Sequence, residues 1–204
     1  MTNRKTQLVD TLPNRRPMDN FIKYFQSVGF ADDEAPKIAS AFKPVELNKG
    51  DFFVKAEKVS KSLAFLESGQ LQYYSLDTNG EERTTYISLP NTFVASLLSF
   101  LNEIPARENI RALTHSKIWT ISKDDLTQLK NEVPSFKDFY IGILEWQICC
   151  IDKGKFDLIT LTAEQRYEKL LKEEPALLQQ VPLQYIASML GMTPRHLSRL
   201  RAKV

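Results

Sequence analysis

The sequence is poor in the side chains that bind metals and act as nucleophiles. Its 204 residues include only two histidines, His115 and His196, and two cysteines, the neighbours Cys149 and Cys150. A zinc site, a metal-binding cupin, a Cys/His nucleophile pair and a disulfide framework are therefore unexpected. Adjacent cysteines seldom bond to each other, because their Cα atoms lie about 3.8 Å apart, short of disulfide geometry. We expect no cofactor and no enzymatic activity.

Long apolar runs and an excess of charge of one sign are also missing. No stretch of about 20 apolar residues is present, so no membrane span is expected. Residues 1–17 lack the apolar segment of a secretory signal and are predicted to form a flexible extension. The 27 basic and 25 acidic residues leave a formal charge of +2, which excludes a uniformly basic nucleic-acid coat. These features predict a cytoplasmic protein.

The first half of the chain has the sequence pattern of an antiparallel β protein. After two short helices, over residues 18–29 and 32–42, segments rich in β-branched and aromatic residues alternate with turn signals such as Asp77-Thr78-Asn79-Gly80. Strands are predicted at 44–47, 52–56, 62–67, 70–76, 82–89, 109–114 and 116–121. Strands this close together favour a closed antiparallel roll or jelly roll, and the helices around it make the fold class α+β.

A long helix is predicted after the roll. A short helix over 123–132 comes first, and Pro134 suits the first position of the next, because its missing N–H would be unpaired there anyway. A helix of about 24 residues would be about 36 Å long, more than a small domain needs for its own core. It either packs as a core helix or pairs with a second copy across a two-fold axis, and we favour the dimer. The predicted dimer stripe comprises Phe136, Tyr140, Ile143, Gln147 and Cys150.

Residues 182–201 have the pattern of a helix-turn-helix. Gly191 can leave the first helix with positive φ, Thr193 can cap the second helix, and Pro194 suits its first position. Residues 191–204 carry four basic side chains and no acidic one. Such a helix suits double-stranded DNA, because basic side chains neutralise phosphates and an arginine fork matches the edge of guanine. The predicted DNA contacts are Thr193, Arg195, His196, Ser198, Arg199 and Arg201.

The order of roll, long helix and helix-turn-helix over residues 18–204 resembles the Crp/Fnr family of bacterial transcription regulators. The roll motifs of that family look like Leu47-Asn48-Lys49-Gly50-Asp51, Phe65-Leu66-Glu67-Ser68-Gly69-Gln70-Leu71 and Asp77-Thr78-Asn79-Gly80-Glu81. Residues 186–191, with Thr193-Pro194 and Leu197-Ser198-Arg199, look especially like the Crp-like regulators of Bacteroidetes. The resemblance implies a homodimer on an inverted-repeat operator, with Pro194, Arg195 and Arg199 at the major groove. It implies RNA polymerase as a partner if the protein is an activator.

The sequence departs from the cyclic-nucleotide members of that family in their phosphate-binding cassette. An ungapped match puts Ala95-Ser96 at their Gly-Glu pair, which holds the ribose, and Ala106-Arg107 at their Arg-Ser pair, which holds the phosphate. The ribose carboxylate is missing and Arg107 is one place off. A cyclic phosphate buried without a matched cation is costly, so we expect a small effector other than cAMP, or none. The candidate pocket residues are Ser96, Leu97 and Arg107.

The cysteines of an Fnr-like iron–sulfur cluster are absent near the N-terminus. Because the sequence ends three residues after Arg201, we also expect the DNA-binding domain to lack the β-hairpin wing of the winged members. The predicted organisation is a flexible extension (1–17), a β-roll sensor domain (18–132), a dimerisation helix (133–160) and a helix-turn-helix domain (161–204). The alternative is a ligand-binding or protein-interaction module without DNA binding.

Overall fold

The computed structural model describes residues 18–202, so the predicted extension over 1–17 and the last two residues lie outside the described part. The described helices are α1 (Asp19–Ser27), α2 (Glu34–Ser40), α3 (Leu97–Asn102), α4 (Lys123–Glu132), α5 (Pro134–Thr160), α6 (Ala163–Glu173), α7 (Pro175–Gln180), α8 (Leu183–Leu190) and α9 (Pro194–Arg201). The described strands are β1 (Lys43–Leu47), β2 (Phe52–Val54), β3 (Ser62–Ser68), β4 (Leu71–Leu76), β5 (Glu82–Ser88), β6 (Thr92–Val94), β7 (Asn109–Ala112) and β8 (Ser116–Ser122). None of the described helices is long and apolar enough to cross a membrane.

The strands form the antiparallel roll that the sequence predicts. One four-stranded sheet has the order β1-β8-β3-β6 and the other has the order β2-β7-β4-β5. Every predicted strand is present, and each end lies within two residues of its predicted position. The alternation along β3 and β8 turns one row of apolar side chains into the space between the sheets. The predicted α+β fold class is therefore confirmed.

Two short elements, β6 and α3, are not predicted from the sequence. The three residues of β6 pair with β3, and the six residues of α3 follow directly. Runs of this length are too short to show a strand or helix period. Residues 94–107, the stretch matched to the phosphate-binding cassette, fold as the end of β6, α3 and the turn after α3.

Gly69 allows the two sheets to join closely. It lies between β3 and β4 with φ +93°, a left-handed conformation that glycine adopts without strain. A Cβ atom built there would lie 2.6 Å from both the His115 carbonyl oxygen and the Ser116 Cα. Only glycine fits both the conformation and the space at this position.

An aromatic core fixes the N-terminal helices and the start of α5 on the roll. Phe21 of α1 is fully buried and stacks on Trp119 of β8, with ring centroids 4.9 Å apart. Phe25, one turn later, contacts Phe136 of α5 at 6.3 Å between centroids. Aromatic pairs at these distances add to the stabilisation from area burial. The core thus joins α1, β8 and α5 into one body.

The C-terminal helices dock on the roll through the sheet that ends in β5. Ile87 of β5 and Leu113 share an apolar cluster with side chains of α6 to α9. The backbone N–H of Thr84 donates to Ser188 Oγ at 2.9 Å, and Gln70 Nε2 donates to the Gln180 carbonyl at 3.0 Å. These contacts set the position of the helix-turn-helix relative to the roll.

Candidate nucleic-acid interface

The turn between α8 and α9 has the geometry that its sequence predicts. Gly191 ends α8 with φ +71°, and its N–H donates to the Ser188 carbonyl at 3.1 Å. The N–H of Met192 donates to the Ala187 carbonyl at 2.9 Å. This pair of bonds is a Schellman motif, which satisfies carbonyls that the helix leaves unpaired. The motif turns the chain sharply between the two helices.

The start of α9 is capped as predicted. Thr193 Oγ1 accepts a hydrogen bond from the His196 N–H at 3.2 Å, and Pro194 occupies the first helical position. Leu197 is fully buried and belongs to the same apolar cluster as Ile186 and Ala187 of α8. Burial of Leu197 fixes which face of α9 is turned toward solvent.

The exposed face of α9 is basic. The predicted DNA contacts on it, all exposed, are Arg195, His196, Ser198, Arg199 and Arg201. Among the described residues the three arginines make no salt bridge, so their charge is not neutralised within the chain. His196 differs, because its Nε2 lies 2.8 Å from Glu164 Oε1. The hydroxyl oxygen of Thr193 is already engaged in the cap.

Two residues that the sequence did not single out hold this unit together. The guanidinium of Arg166 donates to the Leu161 carbonyl at 2.7 Å and to the Leu190 carbonyl at 2.8 Å, which ties α6 to the end of α8. Glu164 lies in the first turn of α6 beside His196, and a hydrogen bond from its own backbone N–H is the main cause that lowers the pKa of its carboxyl, with Thr162 and His196 adding to the effect. The predicted capping box of Thr162 and Gln165 would have been the signal for this helix start, and both of its bonds form. Leu190, which Arg166 binds, and His196, which Glu164 binds, are distant in sequence, so no local pattern shows these two contacts.

The structure corrects the predicted dimer stripe on α5. Phe136 and Tyr140 are only 1% and 8% exposed in the single chain, because they pack into the aromatic core. They are wrong as contacts of a second copy. Ile143 and Gln147 line a cavity between the roll and α5, and Cys150 is exposed. The predicted stripe is thus largely the face of α5 that is turned toward its own roll.

The predicted effector residues are only partly brought together. Leu97 lines the cavity between the roll and α5, whose volume is about 560 Å³. Ser96 is buried at the start of α3 and does not line this cavity. Ala106 is also buried, whereas the next residue, Arg107, lies in a bend and is exposed to solvent. Ser96 and Arg107 are therefore wrong as residues of this cavity.

The cavity does not fit a cyclic nucleotide. Among residues 18–202, no lysine, arginine or histidine lines it, and Glu108 is its charged lining residue. The nearby Arg111 is already paired, since its Nη2 lies 2.6 Å from Glu82 Oε2 and 2.9 Å from Gln72 Oε1. A buried cyclic phosphate would meet a carboxylate rather than a cation, which is unfavourable.

Comparisons with known proteins agree with the fold. The family profile described as the cyclic nucleotide-binding domain matches residues 44–132. The fumarate and nitrate reduction regulatory protein of Yersinia pestis is 25% identical over 139 residues, which are 68% of this chain and 52% of that protein. The chain thus spans about half the length of this curated relative.

Solved structures of several regulators share the architecture. FixK2 from Bradyrhizobium japonicum superposes with a TM-score of 0.67 at 13% identity, covering 79% of this chain and 83% of that one. The catabolite activator protein of Thermus thermophilus superposes with a TM-score of 0.57 at 19% identity, covering 86% and 84%. At these identities the likeness establishes the fold alone.

Residues 44–132 therefore form a cyclic nucleotide-binding domain in fold, although the cavity does not suit the ligand that gives the domain its name. The profile and the curated relative agree with the resemblance to the Crp/Fnr family that the sequence motifs carry.

Proposed function

We propose that the protein is a DNA-binding transcription regulator of the Crp/Fnr type, which acts as a homodimer on an inverted-repeat operator. The observation that carries the proposal is the solvent-facing side of α9. It presents Arg195, Arg199 and Arg201 without a carboxylate partner among the described residues. Unpaired arginines on a helix that a Schellman turn and a threonine cap hold in place suit phosphates and guanine edges.

His196 differs from the arginines on this face, because its side chain is already paired. The imidazole of His196 is held by Glu164, whose carboxylate lies at the edge of α9. A phosphate near this position would displace the imidazole from Glu164 or accept a bond from its other ring nitrogen. The arginines need no such exchange, so we assign them the larger part of the affinity.

The dimer is proposed to form through the face of α5 that is turned away from the roll. At about 100° per residue, Ile141, Ile148 and Ile159 lie on one line along the helix, opposite Phe136 and Ile143. All three are exposed, by 42%, 63% and 73%. Large apolar side chains in such a row are costly in water and favour a second copy packed against them. Two copies related by a two-fold axis would place their α9 helices in successive major grooves, about 34 Å apart.

Selection of bound duplexes from a random DNA pool, followed by a gel-shift assay, tests the proposal. We expect an inverted repeat, and we expect Arg199→Ala to weaken binding to it by roughly tenfold or more, as for loss of a base-contacting arginine. Affinity of the unaltered protein should fall steeply with salt, because DNA binding releases counterions.

Lys49→Ala is the matched control, since it removes one exposed positive charge from a turn of the roll. Its affinity for the selected site should stay close to that of the unaltered protein. Undiminished binding by Arg199→Ala would refute the assignment of α9. A pool that yields no enriched sequence would favour a ligand-binding or protein-interaction module instead.

A further inference from the structure

The cavity between the roll and α5 has an aromatic wall. In the described part of the chain 17 residues line it, and six of them are aromatic: Tyr24, Tyr73, Tyr86, Phe93, Tyr140 and Trp146. The rings of Tyr73 and Tyr86 meet edge to face, with centroids 5.6 Å apart. A volume of about 560 Å³ falls within the range of about 300–1,000 Å³ that is usual for small-molecule sites. The site is therefore large enough for a compact organic ligand and is shaped by flat apolar surfaces.

One carboxylate faces this aromatic wall without a partner. Glu108 is half-buried, lines the cavity and makes no ion pair or hydrogen bond with any residue from 18 to 202. It lies close enough to the Tyr73 phenol to add to the rise of that phenol's pKa, a rise caused mainly by burial. Burial also raises the pKa of Tyr86. Both phenols therefore stay neutral, and Glu108 is the charged side chain among the described residues that line the cavity.

A half-buried carboxylate without a cation is unfavourable, and a positive ligand would relieve this cost. Aromatic faces attract cations as well, through the negative charge density of their rings. Binding of an anion is unfavourable here, because Glu108 would repel it and none of the described lining residues is basic. Charge and shape therefore both favour a small cation with an apolar or aromatic body.

We propose that this cavity binds a small amine, in which an apolar or aromatic body lies against the tyrosines and a protonated amino group pairs with Glu108. The site is distinct from α9, and its occupancy is measured on the protein alone. Failure of this proposal would therefore leave the DNA-binding proposal intact.

Three probes of one shape and different charge test the proposal on the full chain: 4-phenylbutylamine, 4-phenylbutan-1-ol and 4-phenylbutyrate. Isothermal titration calorimetry gives their affinities, and cAMP is titrated alongside. We expect the amine to bind roughly tenfold or more tightly than the alcohol, since a charge-assisted bond is added. The carboxylate and cAMP should bind more weakly than the alcohol.

Two variants locate the site. Glu108→Gln should reduce binding of the amine to the level of the alcohol and leave the alcohol unchanged. Glu103→Gln is the matched control, because it removes a carboxylate that pairs with Lys123 outside the cavity, and it should leave the amine's affinity unchanged. Trp146 lines the cavity, so the amine should also change its fluorescence, and Trp146→Phe should abolish that change.

Any of four results would overturn the proposal. The first is binding of the carboxylate or of cAMP that is as tight as that of the alcohol, or tighter, and the second is absence of heat with all three probes. The third is an amine affinity that Glu108→Gln leaves unaltered. The fourth is a fluorescence change that persists in Trp146→Phe.

Discussion

At the scale of single residues, Gly191 determines how α9 leaves α8. Its φ of +71° lies in the left-handed region, and no atom comes closer than 3.6 Å to a Cβ built there. Gly191→Ala therefore tests conformation rather than crowding. We expect the free energy of unfolding to fall by about 1–2 kcal/mol, the cost of a left-handed conformation for a residue with a Cβ, measured by chemical denaturation.

Gly154→Ala provides the control for this prediction. Gly154 lies inside α5 with open space around it and without a positive φ. Alanine should stabilise the helix there by about 0.5–1 kcal/mol. If both variants shifted stability in the same direction, the role assigned to the Gly191 turn would be wrong.

At the scale of elements, α5 carries two faces with different tasks. One face packs on the roll through Phe136 and Tyr140, and the opposite one exposes Ile141, Ile148 and Ile159. If the exposed face forms the dimer, Ile148→Lys places two like charges near the two-fold axis. We expect this variant to be monomeric at micromolar concentration in sedimentation or light-scattering measurements, where the unaltered protein is dimeric.

Leu76→Lys is a matched control for the α5 prediction. Leu76 is 61% exposed, close to the 63% of Ile148, but it ends β4 at the hairpin turn. It lies opposite Glu82 of β5, so a lysine at position 76 would lie beside a carboxylate of opposite charge. Loss of the dimer in this variant as well, or a dimer that survives Ile148→Lys, would contradict the assignment of the α5 face.

At the scale of the whole molecule, β5 joins the cavity between the roll and α5 to helices α6 to α9. Tyr86 lines the cavity, whereas Thr84 donates its backbone N–H to Ser188 Oγ and Ile87 packs among α6 to α9. Ser188→Ala leaves the buried N–H of Thr84 without this acceptor, at a cost of about 1–3 kcal/mol. We expect lower stability in denaturation and faster hydrogen exchange at the Thr84 amide.

Ser40→Ala serves as the comparison, because the Ser40 hydroxyl bonds only locally, to the Lys37 carbonyl at 2.8 Å, and is exposed. It should change neither the stability by more than a few tenths of a kcal/mol nor the exchange rate at Thr84. Unchanged exchange at Thr84 in Ser188→Ala would mean that this bond does not hold the two parts together.

Local chemistry made much of the fold predictable. Pro134, the Thr162 capping box, Gly191, Thr193 and Pro194 each act through neighbours within a few residues, so the starts and turns of the helices follow from short patterns. The strands are similarly marked by alternation and turns. The short elements β6 and α3, of three and six residues, were not predicted, because neither spans two full repeats of the strand or helix period.

The sequence by itself determined the roll, the long helix, the helix-turn-helix and the basic face of α9, because these depend on the order of residues along one segment. Only the tertiary structure decided which face of α5 is buried, since Phe136 meets Phe25 from more than a hundred positions earlier. It also decided that Arg107 points outward while Glu108 lines the cavity. These two neighbours lie in a bend before β7, and a bend has no repeating spacing. Which of the two side chains faces the interior is therefore fixed only by the chain that packs around them.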